Sequence, residues 1–151
     1  ASSSRPITIR SGWPAVSEAV VETAQSRLAA TIESIERAYE YLLAYAAQGR
    51  RDDAGTEARA MLGTLHAALA EIGPCAQAAF ADPGATADVR ADIASFLAAV
   101  EQDARIARGA VGLVLGRPRI ASLLVDNLNA SVHLRALLTD AFLLDQALDG
   151  A

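Results

Sequence analysis

The side chains best able to do chemistry in this 151-residue sequence are His66, His133, Cys75 and a scatter of serines. A di-iron helical site requires Glu-x-x-His pairs with further glutamates pointing inward. His66 follows Leu62-Gly63-Thr64-Leu65, and His133 follows Asn129-Ala130-Ser131-Val132. Neither has a Glu three or four residues ahead, so the ferritin-like oxidase reading fails. One imidazole can suffice as a haem ligand, but nothing else in the sequence supports that use. His66, set among Leu62, Leu65 and Leu69, reads as a half-buried structural side chain.

Asp126, Asn129, His133 and Asp140 recur at steps of three, four and seven and therefore share one helix face. Their chemical readings are a weak one-imidazole metal site or acid–base work by His133 with Asp140 or Asp126. The plainer reading, preferred here, is the wet side of an amphipathic helix. Asn127 and Ser131 sit nearer the apolar side, where an amide fixes helix register or bonds a ligand. Cys75 follows Pro74 amid Ala and Ile, an apolar setting in which a thiol is inert. The serines show no Gly-x-Ser-x-Gly elbow. Gly109 to Gly116 is glycine-rich but has no P-loop Lys and no strand before it, so close helix packing is the expectation there.

These residues must be held by helices. Trp13-Pro14 opens the first, since Pro suits the first helical turn. No Gly or Pro interrupts Pro14 to Gln48, and Leu28, Ile32, Ile35, Tyr39, Leu42 and Ala46 form its stripe. Gly49 stops it, and Arg50-Arg51-Asp52-Asp53 reads as a solvated turn. A second helix is expected over 54–80, with Ala58, Met61, Leu65, Leu69, Ile72 and Ala76 inward and a kink or break at Gly73-Pro74. Thr86 is the N-cap of a third, with Asp88 in its first turn. Its stripe is Val89, Ile93, Phe96, Val100, Ala104, Ala107, Val111 and Val114, and Gly116-Arg117-Pro118 ends it. A fourth helix is expected over 119–148, carrying Ile120, Leu123, Leu124, Leu128, Leu134, Leu137, Leu138, Phe142 and Leu144.

Strand patterning is nearly absent outside residues 6–9. Long helices and short connections predict an all-α, up-down-up-down four-helix bundle. The alternative is five or six shorter helices, made by breaking the first two at weak points. Residues 1–12 read as a flexible N-terminal arm and 13–151 as a single domain. No secretory signal is visible in the arm, which points to the cytoplasm, although the chain begins at Ala1 and a removed leader stays open.

Three of the aromatics fall in Tyr39-Glu40-Tyr41-Leu42-Leu43-Ala44-Tyr45. Tyr39 belongs to the expected core stripe, whereas Tyr41 and Tyr45 lie four apart on a neighbouring face. Tyr buries its ring and keeps a polar tip, which suits an interface. Trp13, Tyr41 and Tyr45 are therefore the candidate interface, the alternative being that Tyr41 and Tyr45 cover a groove edge or receive Trp13 within the fold. Tyr39, His66, Asn127 and Ser131 are the candidate pocket.

Composition narrows the function classes. Apolar residues make up 52% and charged residues 21%, which excludes a disordered chain. A net charge of −5 with the cations scattered disfavours nucleic acid and anionic membrane. All 13 cations are Arg, as in GC-rich bacterial-like codon usage. One cysteine forms no internal disulfide. No apolar run approaches the roughly 18 residues of a membrane span. A mean hydropathy of +0.24 implies more apolar surface than one bundle hides. The expectation is a non-enzymatic protein with no cofactor or metal, acting by protein–protein interaction: a homo-oligomer, adaptor or chaperone-like subunit. The runner-up is a small-molecule-binding sensory or carrier bundle, taking a small apolar ligand between its helices. No motif is specific enough to name a family.

Overall fold

The computed structural model describes the backbone of residues 14–149 and the side chains of 23–149. The expected arm and Trp13 lie outside the described residues. Five helices follow in order: α1 (Pro14–Ala46), α2 (Ala58–Ala79), α3 (Ala87–Leu115), α4 (Ser122–Asn129) and α5 (Val132–Asp149). There is no strand among the described residues, so the all-α expectation stands. α1 packs on α2 and α2 on α3, while α4 and α5 together bridge α3 back to α1.

Several expected boundaries hold. Gly49 takes a positive φ of 65° just after α1, a conformation glycine reaches without a Cβ penalty. The Thr86 hydroxyl accepts from the Val89 amide at 3.3 Å and caps α3, with Asp88 in the first turn. Of the kink or break expected at Gly73-Pro74, the break does not occur: α2 runs through Pro74, whose ring is exposed.

The break comes instead in the expected fourth helix, at Ala130-Ser131. Helix count thus follows the five-helix alternative, but the division lies in the last helix rather than the first two. Asn and Ser offer the backbone hydrogen bonds that compete with helix continuation. Ser131 stands before the apolar run of α5, as an N-cap residue would, and its carbonyl accepts from the Arg135 amide at 3.0 Å.

The core lies between the helices and is aliphatic apart from the Tyr45 ring and the Cys75 thiol, with further rings packed at its edges. Leu28, Ile32, Ile35, Ala38, Leu42 and Tyr45 bury the inner face of α1. Tyr39 and Ala46, expected on that stripe, are only half-buried. A 3.6-residue helix drifts relative to alternating steps of three and four, and over this length the buried face has turned from Tyr39 to Ala38 and from Ala46 to Tyr45. Leu62 likewise replaces Met61 on α2, and Leu97 replaces Phe96 on α3. Helix packing is tightest at Gly73, and in the glycine-rich end of α3 it is Gly112 that approaches α2, where a Cβ would stand 3.7 Å from His66 Nε2. A Cβ at residue 73 would lie 3.3 Å from Glu101 Cγ, whereas one at Gly109 would meet nothing within 4 Å.

Candidate functional site

The tyrosine face resolves first. Tyr45 is completely buried within its own chain, which leaves it no surface to offer a partner and corrects its assignment to an interface. Its single hydroxyl proton goes to the Ile120 carbonyl at 2.6 Å, with the Asp52 carbonyl beside it at 3.0 Å. Tyr41 is half-buried and its ring stacks on Tyr45 at a centroid distance of 6.3 Å. The Tyr41 hydroxyl accepts from the Glu57 amide at 3.1 Å.

Around this pair the two connections at one end of the molecule are sewn together. Ser122 donates its hydroxyl to the Tyr45 carbonyl at 2.7 Å and accepts from the Arg50 amide at 2.9 Å. Its own amide returns to the Arg50 carbonyl at 2.9 Å. Asp53 accepts from the Ile120 amide at 2.9 Å through Oδ1 and from Arg59 Nε at 3.1 Å through Oδ2. Arg59 spends its remaining nitrogens on the Leu115 and Arg117 carbonyls, at the end of α3. The segment 50–53 is therefore not a solvated turn. Arg50 and Asp52 close the segment on itself through the Asp52 and Ala54 carbonyls and the Ala54 amide, and Asp53 satisfies the Ile120 amide ahead of α4, while Arg51 stays exposed. The Ile120 amide above all, and then Arg59, hold the Asp53 carboxyl below its ordinary 3.8, against burial that pushes the other way.

The chemistry-bearing residues gather elsewhere, between α3 and α5. His133 Nδ1 lies 3.1 Å from Asp103 Oδ1, with side-chain exposures of 45% and 21%. An ionised carboxylate only accepts, so against it Nδ1 is the donor. Asp140, seven residues or about two turns further along α5, turns toward the same Asp103. Its Oδ2 is buried and has no partner while both carboxyls are ionised. Burial, then the hydrogen bond with Asp103 and its charge, push the Asp140 carboxyl up to about 6. Asp103 was not singled out from the sequence, because nothing on α3 announces which residue will meet α5. Asp126 is exposed on α4, and Asn129 points inward, so the expected polar face is split.

This cluster can hold and share a proton near pH 6, and a base oriented by a carboxylate is the elementary part of acid–base catalysis. A substrate would need enclosure beside it, and none of the three grooves described below includes His133, Asp103 or Asp140. Among the described residues no group of three or more His, Cys, Asp or Glu could hold a metal ion.

The cluster has a consequence for pH. The folded chain binds the Asp140 proton more tightly than the unfolded chain, at about 6 against 3.8. Stability is therefore drawn away as pH rises through that window, and the penalty is absent below it. Asp53 has the opposite sign: its contribution is in place above 3.8 and is lost as pH falls below it. Between them, these two groups favour the folded chain most near 3.8, the ordinary value that both share. Asp140→Asn keeps a donor for Asp103 and removes the charge. It is expected to raise stability at pH 7 by about 1 kcal/mol, after discounting for partial solvent screening. Urea midpoints at pH 4 and pH 7 check this, and an equal gain at both would show that the carboxyl charge is not the cause.

The candidate pocket residues are dispersed. Tyr39 is half-buried on α1, and His66, half-buried on α2, faces α3 with Nε2 3.7 Å from where a Cβ of residue 112 would stand. Asn127 is exposed and Ser131 is half-buried in the α4–α5 corner. None of the four lines a groove described here. The buried amide is Asn129, whose Nδ2 donates to the Leu42 carbonyl at 3.1 Å and ties α4 to α1. The break at residue 130 ends the α4 face at Asn129, so the phase read through one continuous helix put this side chain on the wrong side.

Three grooves remain. The largest of them, about 660 Å³, is a shallow trough between α1 and α2 lined mainly by Ala, Thr and Ser, with Arg27 and Glu71 at its margins. Cys75 lies at its floor, buried, with its sulfur 3.8 Å from the Thr31 hydroxyl. A second, about 310 Å³, lies at the α2–α3 turn and has Phe80, Ile93 and Leu97 along it. A third, about 210 Å³, adjoins Gly73 and Arg108. Compared with known protein families, curated proteins and solved structures, the chain matches none. No helix among the described residues is long and apolar enough to cross a membrane.

Proposed function

We propose that this protein acts by docking against another protein chain, a second copy or a different partner, and that its surface for doing so lies on the C-terminal third. The observation that carries this reading is where apolar side chains are left outside. Eight large ones are exposed among the described residues, and five of them fall between 113 and 143. These are Leu113, Leu123, Val132, Phe142 and Leu143, exposed by 52% to 74%. Single exposed leucines need no explanation, whereas a contiguous apolar patch commonly marks an interaction surface, and these five side chains stand on the three successive helices α3, α4 and α5. The break between α4 and α5 supports the same assignment, because Leu123 and Val132 stand in the first turns of two successive short helices.

The reading moves the expected interface away from Tyr41 and Tyr45, which are spent on the fold, while keeping the mode of action. Its test is a triple variant, Leu123→Lys/Val132→Lys/Phe142→Lys, compared with wild type by chemical cross-linking and sedimentation in extract of the source cells. The substitutions lie on exposed positions, so the variant should keep its circular dichroism and urea midpoint. Wild type is expected to sediment in a defined complex that the variant does not enter. Equal complex formation by both, or a wild type that stays a bare monomer throughout, would overturn the proposal.

A further inference from the structure

A different surface points to a small ligand, independently of how the chain docks to proteins. The groove at the α2–α3 turn has an apolar floor from Phe80, Ile93 and Leu97, with small alanines along its sides. Its volume of about 310 Å³ falls at the lower end of small-molecule sites. Phe80 and Ile93 pack against the core but stay partly uncovered, so the floor is apolar surface that the fold has not hidden.

The polar groups at its rim are unequal. Asp82 is occupied, its Oδ1 accepting from the Gly84 amide at 2.8 Å in the turn. Glu101 receives Gln77 Nε2 at 3.4 Å. Arg90, which lines the groove, is exposed and makes no side-chain hydrogen bond or ion pair among the described residues, so its guanidinium is uncommitted. Along α3 the order is Arg90, Ile93, Leu97, Glu101, so positive charge stands at one end and negative charge at the other. The apolar stretch from Arg90 to Leu97 is seven residues, about 10 Å.

We infer that this groove binds an amphiphilic organic monoanion: a carboxylate head on Arg90 and an unbranched alkyl tail over Ile93, Phe80 and Leu97 toward Glu101. The guanidinium is a planar fork that matches a carboxylate bidentately. Asp82 and Glu101 flank the site with negative charge, which disfavours a dianionic phosphate and keeps the far end apolar or cationic. A medium alkyl chain matches the available length, and a long one would run into the Glu101 carboxylate.

The probe is decanoate, titrated calorimetrically into the whole protein beside decanol and decylamine, which carry the same tail. Decanoate is expected to bind about five- to ten-fold more tightly than decanol, the value of one partly exposed charge pair. Arg90→Ala should bring decanoate down to decanol, and Arg90→Glu should make decylamine the preferred ligand. Ile93→Asp should abolish binding of decanoate while leaving circular dichroism unchanged, since residue 93 is only half-buried. Absence of decanoate binding to wild type at millimolar concentration overturns the inference. So does decanol binding equally well, or decanoate binding that ignores both Arg90→Ala and Ile93→Asp.

Discussion

Tyr45→Ala is expected to lower the free energy of unfolding by about 4 kcal/mol, read from urea midpoints at constant slope. The ring is completely buried, stacks on Tyr41, and fills the end of the core where α1 meets the start of α2 and the segment ahead of α4. Truncation removes that packing and leaves a cavity beside groups already tied to other bonds. It also strips the Ile120 carbonyl of its 2.6 Å donor. Tyr45→Phe separates the two losses: the ring stays, and only the hydroxyl bond is lost, at a cost of about 1–2 kcal/mol. An interface tyrosine would behave otherwise, changing association and leaving the isolated chain as stable as before. A Tyr45→Ala chain within about 0.5 kcal/mol of wild type would mean the hub is not built as described.

Asp53→Ala should cost about 3 kcal/mol at neutral pH, because it leaves the Ile120 amide without its acceptor and takes the carboxylate from Arg59 Nε. The loss has a built-in signature. The wild-type carboxyl contributes while it is ionised, so the difference between the two proteins should shrink as pH falls below 3.8. Asp53→Asn keeps one acceptor oxygen and should fall between the two. Ile120 links this prediction to the first, since Asp53 takes its amide and Tyr45 its carbonyl. Asp53→Ala combined with Tyr45→Phe is accordingly expected to cost less than the sum of the single changes. Full additivity, or a difference that does not narrow in acid, would separate the two residues into independent contacts.

The same residues show how far the sequence could be read. Apolar periodicity is local, and it located α1, α2 and α3 with their cap at Thr86 and stops at Gly49 and Gly116. It could not say which of two adjacent stripes on α1 would be inside, because Tyr39 and Tyr45 both satisfy an amphipathic pattern. That choice was made by Ile120, which presents its carbonyl to residue 45 from 75 positions away. The charges of 50–53 read as a solvated turn for a similar reason: their partners are backbone groups, and backbone groups have no signature in a sequence.

Asn129-Ala130-Ser131 did carry a local signal, a capping residue ahead of an apolar run, but the leucines on either side fitted one long helix better. Once the helix divides, the positions before and after the break no longer share one phase: α4 turns Asn129 inward to Leu42 and leaves Asn127 outside, and on α5 His133 meets Asp103 rather than Asp126. The sequence alone determined that the chain is helical, where three of the helices lie, and that no metal or nucleotide motif is written in it, because those properties depend on neighbours within a few residues. Tertiary structure alone decided which tyrosine is core, which carboxyl shares a proton near pH 6, and where Arg90 stands against an apolar floor. Each of those depends on two segments meeting, and the distances between segments are fixed only by packing.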